Sequence, residues 1–310
     1  VSFKSHVKEG MDNMSWLDLH LHSCCSDDGE FTPQELMERC RREQVRTAAL
    51  ADHNTAAGVR EAEIHAAVNG ITLIPSIELD CTFGEVNLHV LGYFIDPDYE
   101  PFAEIGADIM LQEQKAAAER IRLVNEVGIY VEEASVMSRA IDGVVPGELI
   151  AEVALEDERN QANPHMAPYL PGGEFADSPF VSFYWNLCAK GKPAYVPLYF
   201  ITLQQAVEHI HKAGGIAVLA HPGNNIHEDE TLLRGIIDAG VSGIEVFSSY
   251  HNAEQTAFYR DQAERMGLAV TCGSDFHGKN KPTIEIGSVE CDNQEDRWLE
   301  GLYAHHGDSH

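Results

Sequence analysis

Apolar and polar residues alternate through Trp16-Leu17-Asp18-Leu19-His20-Leu21-His22-Ser23. A period of two is that of a β-strand, and it sets Asp18, His20 and His22 on one face with the two imidazoles adjacent. Downstream, short apolar runs end in His, Asp or Glu and are followed by helical segments. Thr47-Ala48-Ala49-Leu50-Ala51 ends on Asp52-His53-Asn54. Ile71-Thr72-Leu73-Ile74-Pro75 leads to Ile77-Glu78-Leu79-Asp80, and the strand 87–93 carries His89. A helix opens at Thr32-Pro33-Gln34-Glu35 with an N-cap Thr, a Pro at the first position and a capping-box Glu. A second helix covers 57–69.

Between 96 and 197 helical periodicity replaces this alternation, with stretches at 102–127, 131–139, 146–158 and 180–189 that read as a helical insertion. Alternation resumes at Thr202-Leu203-Gln204-Gln205, a second Thr cap. The run 215–220 ends on His221-Pro222-Gly223, Gly243-Ile244-Glu245-Val246-Phe247 is a further strand, and 268–272 ends on Gly273-Ser274-Asp275-Phe276-His277. Residues 1–15 read as a flexible arm, and the acidic tail after Asn293, with His305, His306 and His310, as solvated chain.

Repeated strand–helix units predict a parallel sheet, and a β/α barrel brings strand ends to one face, where catalytic groups sit. His22, His53, Glu78, His221, Asp275 and His277 all fall at or just after such ends. Two His on one strand face can equally belong to a polar edge strand. The repetition of the arrangement favours a shared metal ion.

Composition sharpens this reading. The 310 residues include 16 His, and 50 acidic against 21 basic residues give a formal charge of −29. Long nucleic acids are held by many Lys and Arg contacts to phosphate, and the sequence offers no basic stripe for them. A phosphorylated substrate must be met locally, by metal ions and a few basic side chains. The seven Cys lack C-x-x-C spacing, and Cys24-Cys25 reads as space-filling. No apolar run is long enough to span a membrane and no signal peptide is visible, so a soluble, cytoplasmic protein is expected.

The ordered set Asp18-Leu19-His20-Leu21-His22-Ser23, Ala51-Asp52-His53-Asn54, Ile77-Glu78, Leu88-His89, Ala220-His221-Pro222-Gly223 and Gly273-Ser274-Asp275-Phe276-His277 resembles the motifs of the PHP (polymerase and histidinol phosphatase) phosphoesterases. The resemblance covers about 15–95 and 200–290. It implies a distorted (β/α)₇ barrel with a cluster of two or three metals: a discontinuous barrel over 15–95 and 198–295 and a helical cap over 96–197. The segment with Pro164-His165-Met166-Ala167 and Gly191-Lys192-Pro193-Ala194 is similar to the branch of nucleoside 3′,5′-bisphosphate phosphatases and related small-substrate enzymes.

Carried over by position, the resemblance implies that His20, His22 and Asp275 hold one metal. Glu78 would bridge to a second metal on His89 and His221. Asp27, or the adjacent Asp28, would complete the cluster with His53 and His277, and Asp18 and Asp52 would orient imidazoles. Asp275, His221 and Glu78 are the catalytic candidates. Six imidazoles with three carboxylates suit Zn²⁺, Mn²⁺ or Fe²⁺ better than Mg²⁺. Two such ions about 3.5–4 Å apart can share a hydroxide and clamp phosphoryl oxygens, so no Ser or Cys nucleophile is required.

The branch carries basic residues where this chain has Asn163 and Asn224-Asn225. Substitute phosphate donors are sought in Arg139, Arg159, Lys190, Lys192, Lys279 and Lys281, and leaving-group acids in His165 and His227. The expected activity is release of phosphate from a small anionic ester, a sugar phosphate or nucleotide. The rivals are a cyclic phosphodiesterase (of a phosphoribosyl cyclic phosphate), an exonuclease on short oligonucleotides, and a non-catalytic metal-binding module.

Overall fold

The computed structural model describes residues 14–26 and 28–308. Most of the expected N-terminal arm, Asp27 and His310 lie outside the described residues. Among those described, strands β1 (Leu17–Leu21), β2 (Thr47–Leu50), β3 (Thr72–Phe83), β4 (Val86–Tyr93), β5 (Ile201–Thr202), β6 (Ile216–Leu219), β7 (Gly243–Ser248) and β8 (Ala269–Gly273) form one sheet. Its order is β1-β2-β3-β4-β6-β7-β8, with β5 paired to the end of β3. β8 returns to β1: Leu21 bridges Phe276, the Asp275 N–H donates to the His20 carbonyl (2.8 Å), and the His22 N–H donates to the Phe276 carbonyl (3.1 Å). The sheet is thus a nearly closed seven-strand barrel, as the resemblance implies.

One strand breaks the parallel rule. β4 runs antiparallel to both β3 and β6. The long β3 turns back through Gly84-Glu85, where Gly84 takes a positive φ of 61° that glycine adopts without steric cost. Local alternation reads the same in either strand direction, so the sequence pattern alone could not report this reversal. The register sets Asp80 directly opposite His89.

Helices α1 (Pro33–Arg42), α2 (Val59–Asn69), α3 (Glu100–Glu126), α4 (Glu133–Met137), α5 (Gly147–Glu156), α6 (Pro179–Phe183), α7 (Leu203–Lys212), α8 (Pro222–Asn225), α9 (Glu230–Asp238), α10 (Ala253–Met266) and α11 (Glu295–Asp308) complete the chain. The Thr32 and Thr202 hydroxyls accept from the Glu35 and Gln205 backbone N–H groups, closing the capping boxes read from sequence. The expected solvated tail is instead α11. Trp298 and Leu302 pack into the barrel core, and His305 and His306 contact the Gly267 and Gly214 carbonyls. Helices α3 to α6 have an apolar core of their own, with Ile121, Val124, Val145, Ile150 and Phe183, distinct from the barrel core around Leu19, Ile77, Val90 and Val218.

Candidate metal centre and substrate cavity

At the strand ends the barrel buries a concentration of charge. His20, His22, Glu78 and His277 are fully buried, and Asp275 and His221 nearly so. Uncompensated burial of such groups is strongly unfavourable, so their partners decide what the cluster is. His20 Nε2 lies 3.1 Å from Glu78 Oε2 and 3.4 Å from Asp275 Oδ1, and His22 Nε2 lies 3.2 and 3.0 Å from the same two atoms. His53 Nδ1 stands 3.3 Å from both Glu78 Oε2 and Asp80 Oδ1. His89 places Nδ1 3.0 Å from Glu78 Oε1 and Nε2 3.3 Å from Asp80 Oδ1. His277 Nε2 meets Asp28 Oδ2 at 2.9 Å.

Three overlapping groups follow, each with one ligand atom per residue within 4.8 Å of the others: His20, His22, Glu78 and Asp275; His22, Asp28, His53 and His277; and His53, Glu78 and His89. Shared His22, His53 and Glu78 tie them into one centre. On its residues and the adjacent Asp80, the atoms His20 Nε2, His22 Nε2, His53 Nδ1, His277 Nε2, Asp28 Oδ1, Glu78 Oε2, Asp80 Oδ1 and Asp275 Oδ1 are buried without a hydrogen-bond partner. Buried polar atoms are ordinarily paired. Eight orphaned N and O atoms converging on one place fit divalent metal ions. Asp28 stands where Asp27 or Asp28 was anticipated. His221 falls outside the three groups but places Nε2 3.2 Å from Glu78 Oε1.

The supporting contacts differ from those expected. Asp18 accepts the backbone N–H groups of Ser274 (2.9 Å) and Gly287 (2.8 Å), fastening the closing loop rather than an imidazole. Asp52 accepts the Ser23 N–H and the hydroxyls of Ser23 and Ser26, and Ser26 Oγ lies 3.3 Å from His22 Nδ1, so its influence on His22 is relayed. The carboxylate that bears directly on an imidazole is Glu245, fully buried on β7. Its Oε1 is 2.9 Å from His20 Nδ1 and its Oε2 accepts the His221 N–H at 2.8 Å. Sequence reading passed over Glu245 and Asp80 as ligating or orienting groups. The available signal was a lone acid inside the apolar strand 243–247, the mark of an acid aimed into a buried polar site.

Among the side chains of the cluster the charges are mutually supporting. Burial would lower the pKa of His20 and His53, yet the surrounding carboxylates, Glu78 foremost, hold both well above the ordinary value. His89 is raised in the same way. Burial would lift Glu78 and Asp275, but the neighbouring imidazoles, and for Asp275 chiefly Lys281, keep them well below the carboxylate range. Lys281 Nζ donates to Asp275 Oδ2 at 2.7 Å, and the Tyr250 hydroxyl donates to the same oxygen at 2.6 Å.

A cavity of about 470 Å³ opens on this centre. One wall is His53, Asp80, His89, His221 and Asp275. The helical segment also lines the cavity, with Glu113 and Arg120 of α3, Gly147 and Glu148 of α5, Val181 of α6, and Tyr184, Trp185 and Lys190 beyond it. Val181, Tyr184 and Trp185 share a face because i, i+3 and i+4 lie together on a helical turn. Of the basic residues anticipated from sequence, Lys190 and Lys281 line the cavity. The others are engaged elsewhere: Arg139 with Glu152 and Glu156, Arg159 with Asp157 and the Tyr130 ring, and Lys279 with Glu152. Lys192 and His165 are exposed, and His227 contacts the Gly223 carbonyl. Arg120, unremarked in sequence, is a buried guanidinium on the cavity wall, paired with Glu113 at 2.7 Å.

The family model of the PHP domain matches residues 18–135. A 3′,5′-nucleoside bisphosphate phosphatase of Chromobacterium violaceum is 31% identical over 89% of this chain and 92% of its own length. The chain belongs to the PHP family of phosphoesterases. A 5′-3′ exoribonuclease of Haemophilus influenzae is 33% identical over 84% of this chain and 89% of its own. Among solved structures, an amidohydrolase from Chromobacterium violaceum with bound sulfate superposes with a TM-score of 0.74 and 28% identity, covering 89% of this chain and 91% of that one. The PHP match runs from β1 into α4. His221, Asp275 and His277 lie beyond it, just after the ends of β6 and β8.

Proposed function

We propose that the protein is a metal-dependent phosphomonoesterase releasing inorganic phosphate from a small anionic ester, a nucleotide or sugar phosphate. The observation that carries this reading is a set of eight buried ligand atoms without hydrogen-bond partners, four of them on residues that line a single cavity, Asp28, His53, Asp80 and Asp275. His20, His22, His53, Glu78, His89, His221, Asp275, His277 and Asp28 would hold two or three ions, with Asp80 beside His53 and His89. The nitrogen-rich set favours Mn²⁺, Zn²⁺ or Fe²⁺. Bound there, such ions would polarise the phosphoryl group and supply a nucleophile at neutral pH.

The protein's own contribution is orientation and proton handling. Glu245 holds His20 through Nδ1 and leaves Nε2 facing the centre. Asp275 keeps Oδ1 for the centre while Tyr250 and Lys281 occupy Oδ2. That carboxylate, fixed and ionised, would hold or accept the nucleophile's proton. Lys281, held beside Asp275 on the cavity lining, would offer a cation to the phosphoryl group, and the helical residues of the cavity would receive the leaving group. A pocket of this size suits a mononucleotide or a sugar phosphate.

The exoribonuclease relative supports a second reading, hydrolysis at the end of a short oligonucleotide. The charge of −29 weighs against a long polymer. The deciding experiment incubates purified protein with Mn²⁺ or Zn²⁺ and nucleoside monophosphates, a nucleoside 3′,5′-bisphosphate, sugar phosphates, a phosphoribosyl cyclic phosphate and a short 5′-phosphorylated RNA, measuring released phosphate and nucleotide. Fastest turnover of a monoester supports the proposal. Preferred cleavage of the cyclic ester or of RNA, or no metal-dependent turnover, overturns it.

A further inference from the structure

We propose that His251 is a positioning residue for His221, a neutral imidazole of fixed tautomer that pins the turn carrying this ligand. His221 follows the end of β6 in an unusual backbone conformation, φ 25°, which persists only where surrounding contacts over-determine it. Several contacts tie the turn, and three of them involve side chains at His221 N–H, His221 Nδ1 and Gly223 N–H. Glu245 takes the His221 N–H, Asn225 Oδ1 lies 3.1 Å from His221 Nδ1, and the Gly223 N–H donates to His251 Nε2 at 3.0 Å.

The third tie sets the chemical state of His251. Its Nδ1 lies 2.9 Å from the Val246 carbonyl, which only accepts, so Nδ1 carries the proton and Nε2 presents a lone pair to Gly223. The ring stacks on Tyr259, centroids 5.1 Å apart and tilted by 24°. It also fills the space a side chain at 223 would need: a Cβ there would lie 2.6 Å from His251 Cδ2. Ring, glycine and turn therefore form one rigid unit connecting the β7–α10 loop to His221. Removing the acceptor leaves the Gly223 N–H unpaired and lets the turn relax from its strained position, carrying the imidazole away from Glu78. Groups that orient ligands in this way typically alter metal affinity or activity about 10–100-fold.

The inference rests on His221 serving the metal centre, as proposed above. Two variants of the full-length protein separate the roles. His251→Phe keeps an aromatic ring on Tyr259 and removes the acceptor, whereas His251→Gln can present its amide oxygen near the Nε2 position. Zn²⁺ affinity is measured by competition with a chromophoric chelator, alongside kcat and KM for p-nitrophenyl phosphate. The expected result for His251→Phe is a metal affinity lower by tenfold or more, with kcat reduced more than KM is raised, and recovery to within about threefold of wild type in His251→Gln. Wild-type affinity and kcat in His251→Phe, or equal losses in both variants, overturn the proposal. If the Phe variant does not fold, His251→Gln carries the test: affinity within threefold of wild type supports it and a tenfold loss overturns it. Should the wild-type protein itself bind no metal, the functional reading fails first.

Discussion

Asp275 shows how a single side chain is divided between structure and chemistry. One oxygen is saturated by Lys281 and Tyr250, and the other is left facing the imidazoles of His20 and His22. Asp275→Asn preserves the shape but removes the charge, and it is expected to lower kcat by more than tenfold, at least about 1.4 kcal/mol of transition-state stabilisation, with the circular dichroism spectrum unchanged. Retention of most of kcat would remove Asp275 from the catalytic step. The imidazoles make a second prediction. In the metal-free protein His20, His53 and His89 have pKa values raised above 6.5, with Glu78 the leading opponent of burial. Their contribution to stability is therefore fully present below pH about 6.5 and is lost as pH rises through the raised folded values. Metal must displace these protons, so its affinity should move the other way and increase with pH. Calorimetric titration in buffers of different ionisation enthalpy should register proton release on Zn²⁺ binding near neutral pH. Buffer-independent enthalpies would contradict the protonated imidazoles.

Elements set which parts of the sequence can meet. The β3–β4 hairpin brings Glu78, Asp80 and His89 together across one antiparallel register, and the β8–β1 closure delivers Asp275 and His277 to His20 and His22, more than 250 positions away in the chain. The helical segment leaves the barrel after β4 and rejoins at β5, and residues of its α3, α5 and α6 line the same cavity as His53, Asp80, His89 and Asp275. Under the proposed function, binding through these residues would be remote from the reacting phosphoryl group. Trp185→Ala should accordingly raise KM for a nucleoside monophosphate several-fold with little change in kcat, as for lost uniform binding. The small ester p-nitrophenyl phosphate should be far less affected. An equal effect on both substrates would place Trp185 outside leaving-group recognition.

At the scale of the molecule, a chain of net charge −29 gathers Asp28, Glu78, Asp80, Glu245 and Asp275 around one buried point. Divalent ions bound only by the folded state stabilise it by mass action. Chelation should therefore lower the melting temperature by several degrees and re-addition of Mn²⁺ or Zn²⁺ should restore it, whereas a melt indifferent to chelator would argue against a resident metal. Among the described residues no helix is long and apolar enough to cross a membrane. Local chemistry was legible in the chain itself: the period-two pattern of β1, the Thr caps of α1 and α7, and the ligand-rich endings at His22, His53, His221 and His277 depend on neighbours a few residues apart. Strand direction was not, because alternation is the same read either way, and β4 reverses. Nor was the choice among basic residues, because whether Arg139, Lys190 or Arg120 faces the cavity depends on how separate helices pack. Glu245 and His251 belong to the same class. An acid in an apolar strand and a histidine in a loop acquire their roles only when the barrel closes and sets one behind His20 and the other behind Gly223.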